Sequence, residues 1–426
     1  MASWRPLLQG ADAERAWAAI HDIAAALQPQ SENIDPSVPP GVAGGTAGLA
    51  LFYAYLGAAT GHEAWTSVAQ RLIESSIDAV AERPLHPDLY EGFSGIAWAA
   101  GHLQSMLFDD DEDGDDDPIG QSVLQLLSRP ELFARGDFDL IGGVSGYGIY
   151  AFDALPRPTA RRSLEQLAQR LAEIGEPAGD RGFSWWTPPD HIPEWELEEW
   201  PNGQFNLGVS HGVAGVLAVL GLCAGADALS VEQRSLLDRA VNWLLEQKQV
   251  GKSWSFPHAV IEGKPSRRER MAWCYGDPGI AAALFATARH CRNRQWETAA
   301  LDVARTAAGR PMNDSGVKDA GICHGAAGLA HLFNRMHQAS SDPLLAEAAE
   351  AWYRRTLDLR RPGSGAGGYE FYINGEWFPL TRFVDGAAGV GLALLGGVTS
   401  LEPSWDRFLA VSIPLEPRSP GSIATS

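Results

Sequence analysis

Seven copies of Gly-x-x-Gly, each running straight into small apolar residues, punctuate the 426-residue chain. They fall at Gly45/Gly48, Gly92/Gly95, Gly143/Gly146, Gly212/Gly215, Gly276/Gly279, Gly325/Gly328 and Gly386/Gly389. One such pair means nothing among 46 glycines. Seven, followed by text such as Leu-Ala-Leu-Phe-Tyr or Val-Leu-Ala-Val-Leu, make a repeat. Successive first glycines are 47, 51, 69, 64, 49 and 61 residues apart, room for two helices and their loops each time.

The segments that follow the glycines are apolar nearly all round, so they should be enclosed. The segments between them are amphipathic: Leu164, Leu167, Leu171 and Ile174 fall on one stripe, and Leu236, Leu237, Ala240, Val241, Leu244 and Leu245 on another. Seven enclosed helices alternating with amphipathic ones predict an all-α fold, an α/α toroid of seven helical hairpins with an inner ring inside an outer ring. No linker divides the chain. Residues 1–426 read as one domain, with repeats from about 41 to 395. The strand signal is local, a short hairpin over Gly368 to Phe378.

Two polar stretches interrupt the repeat. Asp109 to Asp117 is acidic everywhere but Gly114, yet Gly120 stands where a calcium loop needs its bidentate Glu, so a solvated loop is expected. Gly182 to Gly203 carries Trp185, Trp186, Trp195 and Trp200 among prolines and carboxylates, which predicts an irregular rim or lid over a cavity.

The formal net charge of -20 argues against nucleic acid or an anionic membrane as the main partner and is compatible with a cationic peptide. Met1 to Gln28 mixes Arg5, Asp12, Glu14, Arg15 and Asp22 into its apolar residues, so no secretory signal is expected. No stretch is long and apolar enough for a transmembrane segment. Four cysteines are too few for a disulfide framework in a chain of this size, so reduced thiols and a cytoplasmic location are expected.

Aligned on their first glycine, the repeats place Gly44, Glu91, Gly142, His211, Tyr275, His324 and Asp385 just before it. In a toroid these positions share one level at one end of the ring, where reactive side chains converge. Cys274, Cys323 and His324 stand at that level. Thiolate and imidazole suit zinc, and three protein ligands leave a fourth tetrahedral place open; two small buried thiols beside glycine turns are the alternative. Cys223, inside an apolar run, fits that alternative, and the adjoining His290 and Cys291 sit away from any glycine turn. His211 lacks a second metal-like neighbour and suits acid or base chemistry, with a structural histidine the other reading. Asp139 and Arg270 are the nearest candidates for an orienting or stabilising charge.

These motifs resemble a known family. Asp139-Leu-Ile-Gly-Gly-Val-Ser-Gly, Asn206-Leu-Gly-Val-Ser-His211-Gly, Arg270-Met-Ala-Trp-Cys274-Tyr-Gly and Cys323-His324-Gly-Ala-Ala-Gly look like the successive signatures of the lanthionine synthetase C-like proteins, from roughly Gly41 to Leu395. The resemblance implies an α/α toroid with one zinc ion per chain held by Cys274, Cys323 and His324. It implies active-site roles for Asp139, His211 and Arg270, with Trp273 and Tyr275 lining the pocket. Some family cyclases carry a β-rich insertion in the early repeats; the interval from Gly95 to Gly143 has little room for one.

The implied reaction is Michael addition of a peptide cysteine thiol to dehydroalanine or dehydrobutyrine in the same peptide, with His211 as the proton donor to the enolate. The implied partners are a dehydrated precursor peptide and, beyond it, a dehydratase and a transporter, which would bring the protein to the periphery of a membrane-associated complex. Three rivals stand beside it. A glutathione-like thiol could be added in trans. Glu91 and Asp385 could be the carboxylate pair of a carbohydrate-active toroid. The ring could be a peptide-binding scaffold without catalysis.

Overall fold

The computed structural model describes residues 4–415 apart from 33, 36, 108–117, 128, 130–136, 193 and 262–267. The Asp109 to Asp117 tract lies outside the described residues. A helix follows each of the seven glycine motifs: α2 (Thr46–Thr60), α4 (Phe93–Leu107), α6 (Val144–Asp153), α9 (Val213–Gly225), α11 (Asp277–His290), α13 (Ala326–Ser340) and α15 (Ala387–Val398). Each packs against the next, and α15 packs against α2, so the seven form a closed inner ring. The all-round apolar text has its expected result: every residue of α9 from Val213 to Ala224 is buried.

The outer ring is α1 (Gly10–Glu32), α3 (Glu63–Glu82), α5 (Pro118–Leu127), α7 (Pro158–Ile174), α10 (Val231–Glu246), α12 (Arg294–Ala308) and α14 (Pro343–Leu359). These bury one stripe only, as in α3 with Val68, Ala69, Leu72, Ile73, Ser76 and Ala79. The architecture is the expected α/α toroid. Its seventh pair is made differently from the other six. Among the described residues no outer helix follows α15; instead α1, which precedes the first repeat, packs against it.

The second glycine of every motif has one physical cause. The loop before each inner helix folds back over its first turn, so the carbonyl oxygen six residues earlier lies 1.8 to 2.6 Å from where a Cβ would be. Any side chain there would displace the loop.

Adjacent loops are stitched together by backbone hydrogen bonds onto the residue two before the first glycine in six of the seven motifs. The carbonyl of Tyr90 accepts from Val42 and Ala43, that of Ser210 from Leu140, and that of Cys274 from Val209 and Ser210. Cys323 accepts from Trp273 and Cys274, Val384 from Cys323, and Ala43 from Phe383 and Val384. These joints fix the loops at one level around one end of the ring.

A 3-10 turn, Ser404–Leu409, fills the centre of the ring. Phe408 packs on Tyr90, Trp98 and Phe383, Trp405 packs on His331, and Arg407 pairs with Asp153. Three antiparallel strand pairs decorate the loops: β1 (Glu176–Ala178) with β2 (Gly182–Ser184), β3 (Phe205–Asn206) with β4 (Ala259–Val260), and the expected hairpin, β5 (Phe371–Ile373) with β6 (Glu376–Phe378). A short helix, α8 (Glu194–Leu197), interrupts the irregular tryptophan stretch. No helix among the described residues is long and apolar enough to cross a membrane.

Candidate metal centre and active site

Cys274 and Cys323 occupy the same register position, two before the glycine, in neighbouring repeats. The joint between their loops, with the N–H groups of Trp273 and Cys274 donating to Cys323 at 2.9 and 3.4 Å, brings the two sulfurs together. His324 adds an imidazole from the next position. The three ligand atoms all lie within 4.8 Å of one another, a spacing that a single ion can bridge. His324 Nδ1 is buried with no hydrogen-bond partner, a costly state for a polar atom unless something coordinates it.

The two thiols are pushed in opposite directions. The hydrogen bond from Cys323 pulls Cys274 well below the ordinary thiol range, against burial, with His324 and the Arg270 guanidinium acting the same way. The same contact and burial push Cys323 well up. Arg270 reaches the Cys274 sulfur as a hydrogen-bond partner, so its cation belongs to this cluster. Cys223 contrasts with both: fully buried, with its thiol donating weakly to the Leu164 carbonyl at 3.9 Å, it is pushed up to about 12 by burial.

Asp139 connects the site to the third inner helix. Its Oδ1 accepts the N–H groups of Gly142 and Gly143, both at 2.9 Å, at the start of α6. Its Oδ2 lies 2.6 Å from His211 Nδ1. The histidine is thereby fixed through one nitrogen while 44% of its side-chain surface stays open to the mouth. Its ring lies 6.4 Å from that of Tyr275. Trp273 behaves differently: it is 2% exposed, donates Nε1–H to the Leu409 carbonyl at 2.8 Å and stacks on Tyr90. Its indole therefore supports Cys274 from behind, anchored to the central plug.

At the same level, Glu91 is exposed as a residue, yet its carboxyl is pushed up to about 7, first by partial desolvation within the opening and then by Asp88, against Arg382. Burial also raises Asp385. A cavity of 650 Å³ lined by Trp98, His102, Asp153 and Arg407 opens near the other ends of α4 and α6, and contains none of the cysteines or histidines of the mouth. His290 packs edge-on against Phe152, away from the cluster, as expected.

A family model for lanthionine synthetase C-like proteins matches residues 36–410. The chain belongs to the lanthionine synthetase C-like family. Within this family it is similar to the glutathione S-transferase LANCL1 of Danio rerio, 26% identical over 341 residues, 76% of each chain. It is also similar to the nisin biosynthesis protein NisC of Lactococcus lactis subsp. lactis, 24% identical over 306 residues, 64% of this chain and 69% of that one. A solved structure, nisin cyclase, superposes with a TM-score of 0.73 and 19% identity over 92% of this chain and 96% of the other, a likeness of fold.

Two residues near this lanthionine synthetase C-like site escaped the register. His258 stacks on Tyr275 with ring centroids 4.4 Å apart, and its Nδ1 lies 3.3 Å from Glu269 Oε2. Trp200, from the tryptophan stretch, also stacks on His258, with ring centroids 6.2 Å apart. Both His258 and Glu269 precede the fifth motif by variable loops, where no repeat position marks them; the only sequence signal is that Glu269 adjoins Arg270.

Proposed function

We propose that this chain, as one unit over residues 1–426, is a zinc-dependent cyclase. It would close thioether rings in a dehydrated precursor peptide by adding a cysteine thiol to dehydroalanine or dehydrobutyrine in the same molecule. The observation that carries the reading is the meeting, at one opening, of a three-ligand metal set with an exposed histidine held by its own carboxylate. The donor chemistry fits zinc: two sulfurs, one imidazole and a buried Nδ1 in want of a partner. Cys274, Cys323 and His324 would hold the ion, which when bound supplies a Lewis acid that favours the thiolate form of an incoming sulfur at neutral pH.

The chain's own residues account for the rest. Addition makes a sulfur–Cβ bond and moves the alkene electron pair onto the neighbouring carbonyl as an enolate. The thiol proton leaves, and a proton must reach the α-carbon, so the net change is an isomerisation. Asp139 accepts from His211 Nδ1, which leaves Nε2 as the nitrogen that delivers a proton. Arg270, beside Cys274, puts fixed positive charge where negative charge moves. The wall formed by Tyr275 restricts the approach of the peptide and so the face that is protonated. This reading makes the dehydrated peptide the partner, requires a dehydratase upstream, and sets the reaction in the reducing cytoplasm that free thiols need.

A second reading has one observation in its favour. The Danio rerio relative is named a glutathione S-transferase, so the thiol could come from glutathione in trans. Incubation with a dehydrated cysteine-containing peptide plus glutathione, followed by thiol alkylation and mass spectrometry, separates the two. Loss of the peptide thiol at unchanged mass is the expected result. A mass gain of one glutathione, with the peptide thiol still alkylated, would replace cyclisation by addition in trans. Metal analysis accompanies it: Cys274→Ala, Cys323→Ala and His324→Ala lose zinc while Cys223→Ala keeps it.

A further inference from the structure

Tyr275 stands between two histidines, each paired with a carboxylate. On one side is His211 with Asp139. On the other is His258, whose ring lies 4.4 Å from that of Tyr275 at an interplanar angle of 19°, with Glu269 Oε2 3.3 Å from its Nδ1. The backbone builds this second pair deliberately into the mouth. The two-residue pairing of β3 with β4 sets Asn206 opposite Ala259, and Leu207 N–H donates to the His258 carbonyl at 3.0 Å. The strand that steadies His258 therefore runs directly into the loop carrying His211.

The two pairs differ in access. The His258 side chain is 18% exposed, with both Trp200 and Tyr275 stacked on its ring, so it has no broad surface to offer a substrate. Glu269 is tied in twice more: its Oε1 accepts the Arg270 N–H at 2.9 Å, and its carbonyl accepts from Arg310 Nη1 at 2.9 Å. Tyr275 in turn lies over Gly208, where a Cβ would come within 2.5 Å of Cδ1. A single column, Trp200, His258, Tyr275 and His211, thus spans the wall of the site, and Glu269 links that column to the backbone of Arg270.

We infer that His258 and Glu269 are positioning residues: they hold the Tyr275 ring and the Arg270 segment in place beside the metal set, and touch neither substrate nor metal themselves. The reaction they serve rests on the thiol-addition reading above; the placement of Tyr275 does not.

The test therefore has two arms. Protein labelled with 3-fluorotyrosine gives fluorine signals from its nine tyrosines, and Tyr275→Phe identifies the one that belongs to Tyr275. His258→Ala should shift and narrow that signal alone, and His258→Phe, which keeps a ring against it, should restore the broad line. An unmoved Tyr275 signal in His258→Ala, or changes spread over the other tyrosines, would overturn the inference whether or not the protein cyclises anything. In the kinetic arm, stacked rings of this kind are worth a factor of about 2 to 10, so His258→Ala should lower kcat by about that much with KM and zinc content unchanged. The loss should shrink toward nothing in a Tyr275→Ala background, because His258 acts through that ring. Equal losses in both backgrounds would also sink the assignment. A wild-type protein that adds no thiol would count against the proposed reaction, and the fluorine signal would still decide this one.

Discussion

His331 and His211 are both held by an aspartate at hydrogen-bond distance, 2.8 Å from Asp406 in one case and 2.6 Å from Asp139 in the other. The first pair lies in the packed centre of the ring: His331 is 1% exposed and Asp406 not at all, and Asp406 also takes Arg335 Nε at 2.7 Å, while Arg335 reaches Glu402 and covers Trp4. The second lies at the mouth with nearly half of the imidazole open. Similar dyads therefore have opposite uses. A histidine–carboxylate pair becomes chemistry only where the ring keeps a face that a substrate can meet. Sealed and shared with a buried arginine, the same pair fastens the central plug to α13.

Exchanging the two roles by mutation gives the sharpest break. His211→Asn should slow ring closure about 10²- to 10⁴-fold, the usual yield of general acid catalysis, with residual product of mixed configuration at the α-carbon. Its melting temperature should hardly move, because nearly half of the side chain is exposed and Asn can still donate to Asp139. Wild-type rate with one stereoisomer, read by alkylation and chiral analysis of hydrolysed rings, would remove His211 from the chemistry. Asp406→Ala should do the reverse: stranding a buried arginine costs about 3–5 kcal/mol, read as a lower urea midpoint. A shift below about 1 kcal/mol, the range of exposed pairs, would mean that the central network is better hydrated than its burial implies.

Acid should expose a smaller difference. Burial holds His331 below its ordinary 6.5, against the pull of Asp406, and takes His102 and His290 down to about 4. Groups kept neutral in this way contribute stability that is complete above pH 6.5 and is lost as pH falls through their folded values. Asp406 is also lowered, since Arg335 and His331 outweigh burial, but its contribution goes only as pH drops below about 4, the ordinary carboxylate value. Urea unfolding from pH 7 to pH 4.5 should therefore lose stability by on the order of 1–2 kcal/mol for each strongly shifted histidine, and His102→Gln should flatten the slope. A flat profile in the parent protein would contradict the neutral state of these rings at pH 4.5 to 6.5. Smallest of all, Arg15→Ala, which breaks an exposed pair with Asp358 at 2.7 Å, should change stability by less than about 1 kcal/mol.

The ring and its chemical end were legible because both are periodic. Glycines that admit a carbonyl where a Cβ would sit recur at a fixed offset, and the same glycine register aligns His211 and His324 one residue before the motif and Cys274 and Cys323 two before it. Features that depend on partners far away in sequence were not legible. Nothing in Phe256-Pro257-His258 announces that its imidazole meets Tyr275, since that contact is set by a two-residue strand pair rather than by a repeat. The family resemblance implied pocket lining for Trp273, but its indole finds the Leu409 carbonyl, 136 residues on. Segment 404–409 has no apolar periodicity at all, because a plug packed on every side obeys no single face.

The seam between α1 and α15 carries a consequence for how such a ring is made. Six inner helices find their outer neighbour as soon as the next stretch of chain emerges, but α15 must find one synthesised long before it. Ala16, Ala19, Ile20, Ile23, Ala24 and Leu27, all fully buried in the closed ring, therefore leave the ribosome early and lack their main cover until α15 has followed. The closing step joins segments more than three hundred residues apart, so it bears the slow loop closure that local hairpins avoid. The belt is buckled last. Any assistance that a chaperone gives this protein is best spent keeping that early greasy strip from finding another molecule first.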